Sequence, residues 1–176
     1  MLVGTLVTTK HEDPVPIIPN TLDDMYREHH GMVFRTAHRI TGHAADAEDV
    51  LQTVFLRIVR RDVSADVIER PENYLRRAAV HAALDLVRAR RPPAEVDLER
   101  LPAGTGSRPD SGDLHELLRR AVSELPERSA EIFTLRFFEG LTNPEIARSL
   151  GISSITVAVT LHRTRRILQK KLRMQT

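Results

Sequence analysis

The sequence has no cysteine and no tryptophan, and aromatic residues make up only 4% of its 176 positions. Without cysteine, disulfides, thiolate zinc sites and cysteine nucleophiles are excluded together. Scarce aromatics beside abundant Leu, Ala, Val and Ile argue against a sandwich or barrel and predict an all-α chain. No stretch of about 18 apolar residues occurs, so no bilayer span is expected. The first 20 residues lack a basic stretch ahead of an apolar core, carry His11, Glu12 and Asp13, and are broken by three prolines. They do not read as a secretion signal, and the expected location is cytoplasmic. Also missing are His-Glu-x-x-His, Gly-x-Ser-x-Gly and any phosphate-binding Gly-rich loop. His29, His30, His38 and His43 do not share a metal-binding helix face at i, i+4 spacing. Neither catalysis nor a metal or cofactor is expected.

What is present is charge, and it is segregated along the chain. The formal net charge is +2, yet residues 142–176 hold seven basic side chains against the single acid Glu145. Residues 70–91 hold six basic side chains against Glu72 and Asp85. Two separate basic helices point to two contacts with a polyanion.

Helical periodicity divides the rest. Leu22, Met25, Tyr26, Val33, Ala37 and Ile40 recur at three- and four-residue steps behind Thr21, predicting a helix over 22–41 that stops at Gly42. A second, over about 45–60, opens with Asp46, Glu48 and Asp49 at the positive end of its dipole and carries Ala47, Val50, Leu51, Val54 and Ile58 as its stripe. The third starts at Pro71, shows Tyr74, Leu75, Ala78, Ala82 and Leu86 on one face, and is stopped by Pro92-Pro93. Residues 92–112 contain four prolines, three glycines and no helical period, and read as a flexible linker. Beyond it, Asp113 and Glu116 form a capping box for a helix to Leu125, and a fifth helix runs over about 127–139. The expected organisation is a mobile extension (1–20), a first domain (21–91), the linker (92–112) and a second domain (113–176).

The most specific local signal is TNPEIARSLGISSITVAVTLHRTRR, from Thr142 onward. Thr142 and Glu145 make a capping box, Gly151 permits a tight turn, and Ser153 caps a longer helix whose Val157, Leu161 and Leu168 face inward. This is a helix-turn-helix, the unit that lays its second helix in the major groove of duplex DNA. Ser153, Ser154, Thr156 and Thr160 near the start of that helix would meet base edges, and Arg163, Arg165 and Arg166 would meet phosphates. The plainer alternative is a solvated helix pair with a basic face.

These residues, in this order, resemble the extracytoplasmic-function sigma factors of bacterial RNA polymerase, over about residues 22–172. DAEDVLQTVFLRIVRR, from Asp46, is similar to the family's segment that docks on the polymerase clamp helices. The resemblance therefore implies polymerase contacts by Asp46, Glu48, Asp49, Gln52 and Phe55. RPENYLRRAAVHAALDLVRARR, from Arg70, resembles the promoter-melting and −10 reading helix, which implies DNA contacts by Arg76, Arg77, His81, Arg88, Arg90 and Arg91. A base flipped from the duplex would lodge in the loop at 62–69. LPERSAEIFTLRFFEGLTNPEIARSLGIS resembles the −35 binding domain, which also meets the polymerase flap. An anti-sigma factor is among the partners that such a protein would have.

Departures from the family pattern are concentrated where DNA would be read. Val80-His81 stands where the family usually has Arg-Asn, and Tyr74 where it has Trp. The recognition helix reads Thr156-Val157-Ala158-Val159-Thr160 in place of a typical Thr-Val-Lys-Ser-Arg. Loss of those two cations predicts a weak −35 contact, or one with thymine methyl groups. Two other readings stay open: a stand-alone helix-turn-helix regulator, and a sigma-like interaction adaptor.

Overall fold

The computed structural model describes residues 22–60, 70–90 and 111–173, with the backbone alone at 111 and 113. Among the described residues every regular element is helical: α1 (Leu22–Thr41), α2 (Ala44–Arg60), α3 (Pro71–Ala89), α4 (Ser111–Ser123), α5 (Glu127–Phe137), α6 (Asn143–Leu150) and α7 (Ser154–Arg173). None of these helices is long and apolar enough to cross a membrane. The expectations for residues 1–20, the loop at 62–69, Arg91 and nearly all of the linker lie outside the described residues.

Helices α1, α2 and α3 pack on one another as a bundle. Their shared core is Met25, Val33, Ala37 and Ile40 from α1, Val50, Val54 and Ile58 from α2, and Leu75 and Ala79 from α3. Two expected core residues, Leu22 and Tyr26, are largely exposed, although Met25 in the same turn is buried. Tyr26 instead packs its ring edge-on against Phe55 at 4.9 Å between centroids.

Helices α4 to α7 form the second unit, with α7 packed on α4, α5 and α6. Here the core is Ala121, Val122, Leu125, Ile132, Leu135, Ile146, Val157, Leu161 and Leu168. Helix α4 begins at Ser111, earlier than the expected Asp113 cap, so Asp113 lies inside the first turn and the last two residues assigned to the linker are helical. Gly140, with φ +72°, ends the α5 segment.

The two units are packed together, and α3 is the shared element, touching α4 and α5 as well as α1 and α2. Its buried residues, Leu75, Ala79, Val80, Ala82, Ala83 and Leu84, span about half the helix circumference. Such a stripe is wider than one interface requires. Leu75, Ala79 and Ala82 recur at steps of four and three, the spacing of one face, whereas Val80 and Leu84 belong to a second. That second face also carries Arg77, His81 and Arg88, all of which bond to groups of the second unit. Gly42, at φ +80°, makes a further close approach possible, since a Cβ there would sit 2.7 Å from the Arg119 guanidinium of α4.

Candidate nucleic-acid interface

The helix-turn-helix forms as its sequence specifies. Thr142 is in extended conformation and the capping box is complete, with the Thr142 amide donating to Glu145 Oε2 at 2.7 Å and the Glu145 amide donating to Thr142 Oγ1 at 3.4 Å. The two hydrogen bonds satisfy donors that a helix start otherwise leaves open. The Thr142 hydroxyl, donating to Glu145 Oε2 at 2.6 Å, and after it the Thr142 amide lower the pKa of Glu145, since both bonds favour the charged carboxylate. At the other end of α6, Gly151 adopts the left-handed conformation at φ 64° and donates its amide to the Ala147 carbonyl. Two residues later the Thr156 amide donates to Ser153 Oγ at 3.0 Å, which caps α7.

These caps fix which side of α7 faces out. Val157, Leu161, Thr164 and Leu168 are buried, while Ser154, Ile155, Thr156, Ala158 and Val159 are exposed, and Thr160 is half-buried. Ser153 is exposed but its hydroxyl is occupied with Thr156. Arg163, Arg165 and Arg166 are exposed one to two turns further on. Arg165 lies over the Phe137 ring at 5.0 Å from its centroid. Ile155, 76% exposed, is the feature that sequence reasoning passed over. Its place one residue into α7 was visible, but its outward direction depends on the cap at Ser153.

The expected polymerase-contacting set is split by the structure. Glu48, Asp49 and Gln52 are exposed on α2, and Glu48 and Gln52 line an open groove of about 500 Å³ with Tyr26, His30, Phe34 and Arg35 of α1. Asp46 departs from the expected surface patch: it is 2% exposed and bonds to the Arg90 guanidinium. The acid at the start of α2 points toward the end of α3, and an unpaired carboxylate there would be costly to bury. Phe55, expected as an exposed anchor, is 7% exposed and part of the core.

The basic side chains of α3 are brought together, but each has a partner. Arg77 donates from Nε to Glu131 Oε1 at 2.8 Å and reaches the Ser149 carbonyl at 3.5 Å. His81 places Nδ1 3.0 Å from Glu127 Oε1 and Nε2 3.0 Å from Glu131 Oε1. Carboxylates only accept, so this arrangement suits the doubly protonated ring. The hydrogen bond from Glu131 raises the His81 pKa above its ordinary 6.5, against the opposing effect of burial. Glu131 is itself 2% exposed; burial pushes its pKa up, but bonds from His81 and Arg77 outweigh that and hold it down at about 2.

Arg76 pairs with Glu72 at 2.6 Å, and its Nε lies 3.5 Å from Glu139 without a well-aligned hydrogen bond. Glu139 also accepts from Thr36 Oγ1 at 2.8 Å and from Arg39 at 3.0 Å. Arg88 donates to the Ser123 carbonyl at 2.7 Å and to Asp85 at 2.9 Å. Glu127, Glu131 and Glu139 were not singled out from the sequence, because nothing local marks an acid with partners on the first unit, 46 to 103 residues away.

With this geometry in hand, the comparisons with known proteins are specific. The model of sigma-70 region 2 matches residues 25–92, and that of sigma-70 region 4 matches residues 115–168. The chain is 33% identical over 157 residues to the ECF RNA polymerase sigma factor SigE of Mycolicibacterium smegmatis, spanning 84% of this chain and 60% of that one. It is 32% identical over 154 residues to the RNA polymerase sigma-E factor of Streptomyces avermitilis, spanning 85% and 84% respectively. Among solved structures, CnrH in complex with the cytosolic domain of CnrY aligns with a TM-score of 0.52 at 23% identity, covering 88% of this chain and 89% of that one. This structural likeness supports the two-unit helical fold.

Proposed function

The chain belongs to the ECF sigma factors of RNA polymerase, and from that premise we propose how its own residues divide the work of promoter recognition. It acts in the cytoplasm, without catalytic chemistry of its own. Glu48, Asp49 and Gln52, beside the groove between α1 and α2, form the docking patch for the polymerase clamp helices. Asp46 supports that patch from beneath by anchoring Arg90. Helix α3 supplies Arg76, Arg77, His81 and Arg88 to an opened strand at the −10 element, where cationic and stacking side chains follow a backbone. Helix α7 enters the major groove at the −35 element.

The observation that carries this reading is the capped α6–α7 pair. Its caps turn Ser154, Ile155, Thr156, Ala158 and Val159 outward, with Arg163 and Arg166 behind them on the exposed side. A helix start without cations, followed by arginines, suits base-edge contacts of modest strength and phosphate contacts that set register. Run-off transcription by core polymerase with and without the protein, on a promoter selected from the DNA that the holoenzyme binds, tests it. Protein-dependent transcripts are expected. Duplex binding without any effect of core polymerase would instead make the chain a stand-alone regulator.

A further inference from the structure

We infer that Ile155 and Val159 of α7 determine the specificity of the −35 contact, by packing against the C5-methyl groups of neighbouring thymines in the major groove. This role rests on the reading of α7 as the duplex-reading helix and deepens it.

Direction is the first observation. The buried stripe of α7 is Val157, Leu161, Thr164 and Leu168. Ile155, Val159, His162 and Arg166 follow one another at steps of four, three and four on the opposite side, and all are exposed. They form the outermost ridge of the helix, the part that reaches furthest into a groove. Ile155 is 76% and Val159 44% exposed, so both keep apolar surface in water that the fold does not use.

The second observation is what the neighbouring side chains lack. From Ser153 to Val159 there is no Arg or Lys to bridge guanine O6 and N7, and no Asn or Gln to bridge adenine N6 and N7. The Ser153 and Thr156 hydroxyls lie 2.8 Å apart and Ser153 Oγ also accepts from the Thr156 amide, so the cap engages both. Apart from Ser154, what remains at the leading end is aliphatic: Ile155, Ala158 and Val159. The apolar feature that a base pair shows in the major groove is the thymine methyl group.

Charge is the third. The first turn of α7 holds no acid, so nothing there offsets the positive end of its dipole. Arg163 and Arg166 are exposed one to two turns behind the aliphatic pair. Apolar side chains with positive charge before and behind them suit a duplex, whose phosphates border its groove, better than an apolar protein surface.

The experiment uses the full chain with core polymerase, on the promoter DNA that this complex selects from a randomised pool. Each thymine of the −35 element is replaced in turn by uracil, which removes the C5-methyl group and leaves base pairing intact. The parent chain, Ile155→Ala and Val159→Ala are compared, with Arg163→Ala/Arg166→Ala as a separate test of α7 itself. Neither aliphatic side chain belongs to the core, so both variants keep the fold, which circular dichroism checks.

The selected element is expected to hold neighbouring A·T pairs, and uracil at two of its thymines should weaken parent binding about fourfold each. Ile155→Ala should lose a similar factor and no longer tell thymine from uracil at one of those positions, and Val159→Ala at the other. Uracil without effect on the parent, while Arg163→Ala/Arg166→Ala binds less tightly, overturns the methyl contact and leaves α7 as the DNA-reading helix. If neither uracil nor the arginine change affects binding, the assignment of α7 falls as well. A uracil effect that persists undiminished in both aliphatic variants overturns the roles of Ile155 and Val159. Loss of affinity for core polymerase alone in Ile155→Ala assigns the ridge to a protein partner, and that also overturns the methyl contact.

Discussion

Closure of the two units should depend on pH, and its two ionisations pull in opposite directions. The pKa of Glu131 falls from 4.5 to about 2 because His81 and Arg77 bond to its ionised form. At about 1.4 kcal/mol per pH unit, that difference favours the closed chain by about 3 kcal/mol, as an upper figure. A lowered carboxylate pKa contributes in full above 4.5 and is lost as pH falls toward 2. His81 is raised above 6.5, so its contribution is full below 6.5 and is lost as pH rises through the higher value. Closure is therefore firmest between about pH 4.5 and 6.5 and loosens on the alkaline side. Glu127 and Glu131 face the ring from α5, Arg77 and Asp85 lie one turn before and after it on α3, and Arg128 adjoins Glu131. Of these groups, His81 alone ordinarily titrates near neutrality. The assay is energy transfer between dyes at Arg57→Cys and Lys170→Cys from pH 5.5 to 8.5 at constant ionic strength. The distance should lengthen with pH in the parent chain and stay flat in His81→Gln. Shortening with rising pH, or an equal slope in His81→Gln, would refute the reasoning.

Three further outcomes are expected. Leu161→Ala, at a core position 6% exposed beside Val157 and Leu168, should cost about 2–5 kcal/mol of stability in the second unit, read by calorimetry. Asp49→Ala/Gln52→Ala should weaken binding to core polymerase without loss of helicity, because both side chains are exposed on α2; full affinity would remove that helix from the docking role. Ala158→Lys/Thr160→Arg should tighten binding of the full chain to a −35 duplex while leaving −10 preference alone. Weaker binding would mean that Ala158 and Thr160 already make favourable contacts.

The elements were legible because each is a local statement. Every helix interior, both Gly turns of the first and fifth helices, the Thr142–Glu145 box and the Ser153 cap depend on residues within a few positions of one another. Errors at the ends have local causes too: α4 gains Ser111 and Gly112 because a helix can extend past an internal Asp, and Leu22 and Tyr26 satisfy the helical period yet stay largely exposed. The candidate site was legible only in composition. Periodicity assigned one face of α3 to a core and left the rest to solvent, although Val80 and Leu84 are buried as well. An extra buried face is a property of two distant segments meeting, and no spacing rule within either segment carries it. For the same reason Asp46 read as a surface acid, when its partner Arg90 lies 44 residues on.

Packing of the two units affects the two helices proposed to read DNA, α3 and α7, unequally. Among the described residues the outward side of α7, from Ser154 to Arg166, carries none of the ion pairs between units, so the side proposed for the −35 element stays open. On α3 the opposite holds, since Arg76, Arg77 and His81 all face acids of the second unit. Duplex contact through α7, as proposed, does not by itself require the units to part, whereas the proposed contact of Arg77 and His81 with an opened strand does. Glu48, Asp49 and Gln52, the proposed docking patch on α2, are likewise exposed while the units are together. A partner can therefore engage the closed chain through α2 before anything reaches α3. If polymerase docking holds the two units apart, the energy of that contact is what releases α3, and strand binding becomes conditional on the polymerase. A chain with weak charge at the start of its recognition helix gains from such an arrangement. With α3 masked, the free protein has fewer cations to spend on nonspecific nucleic acid, which would otherwise compete with a modest −35 contact.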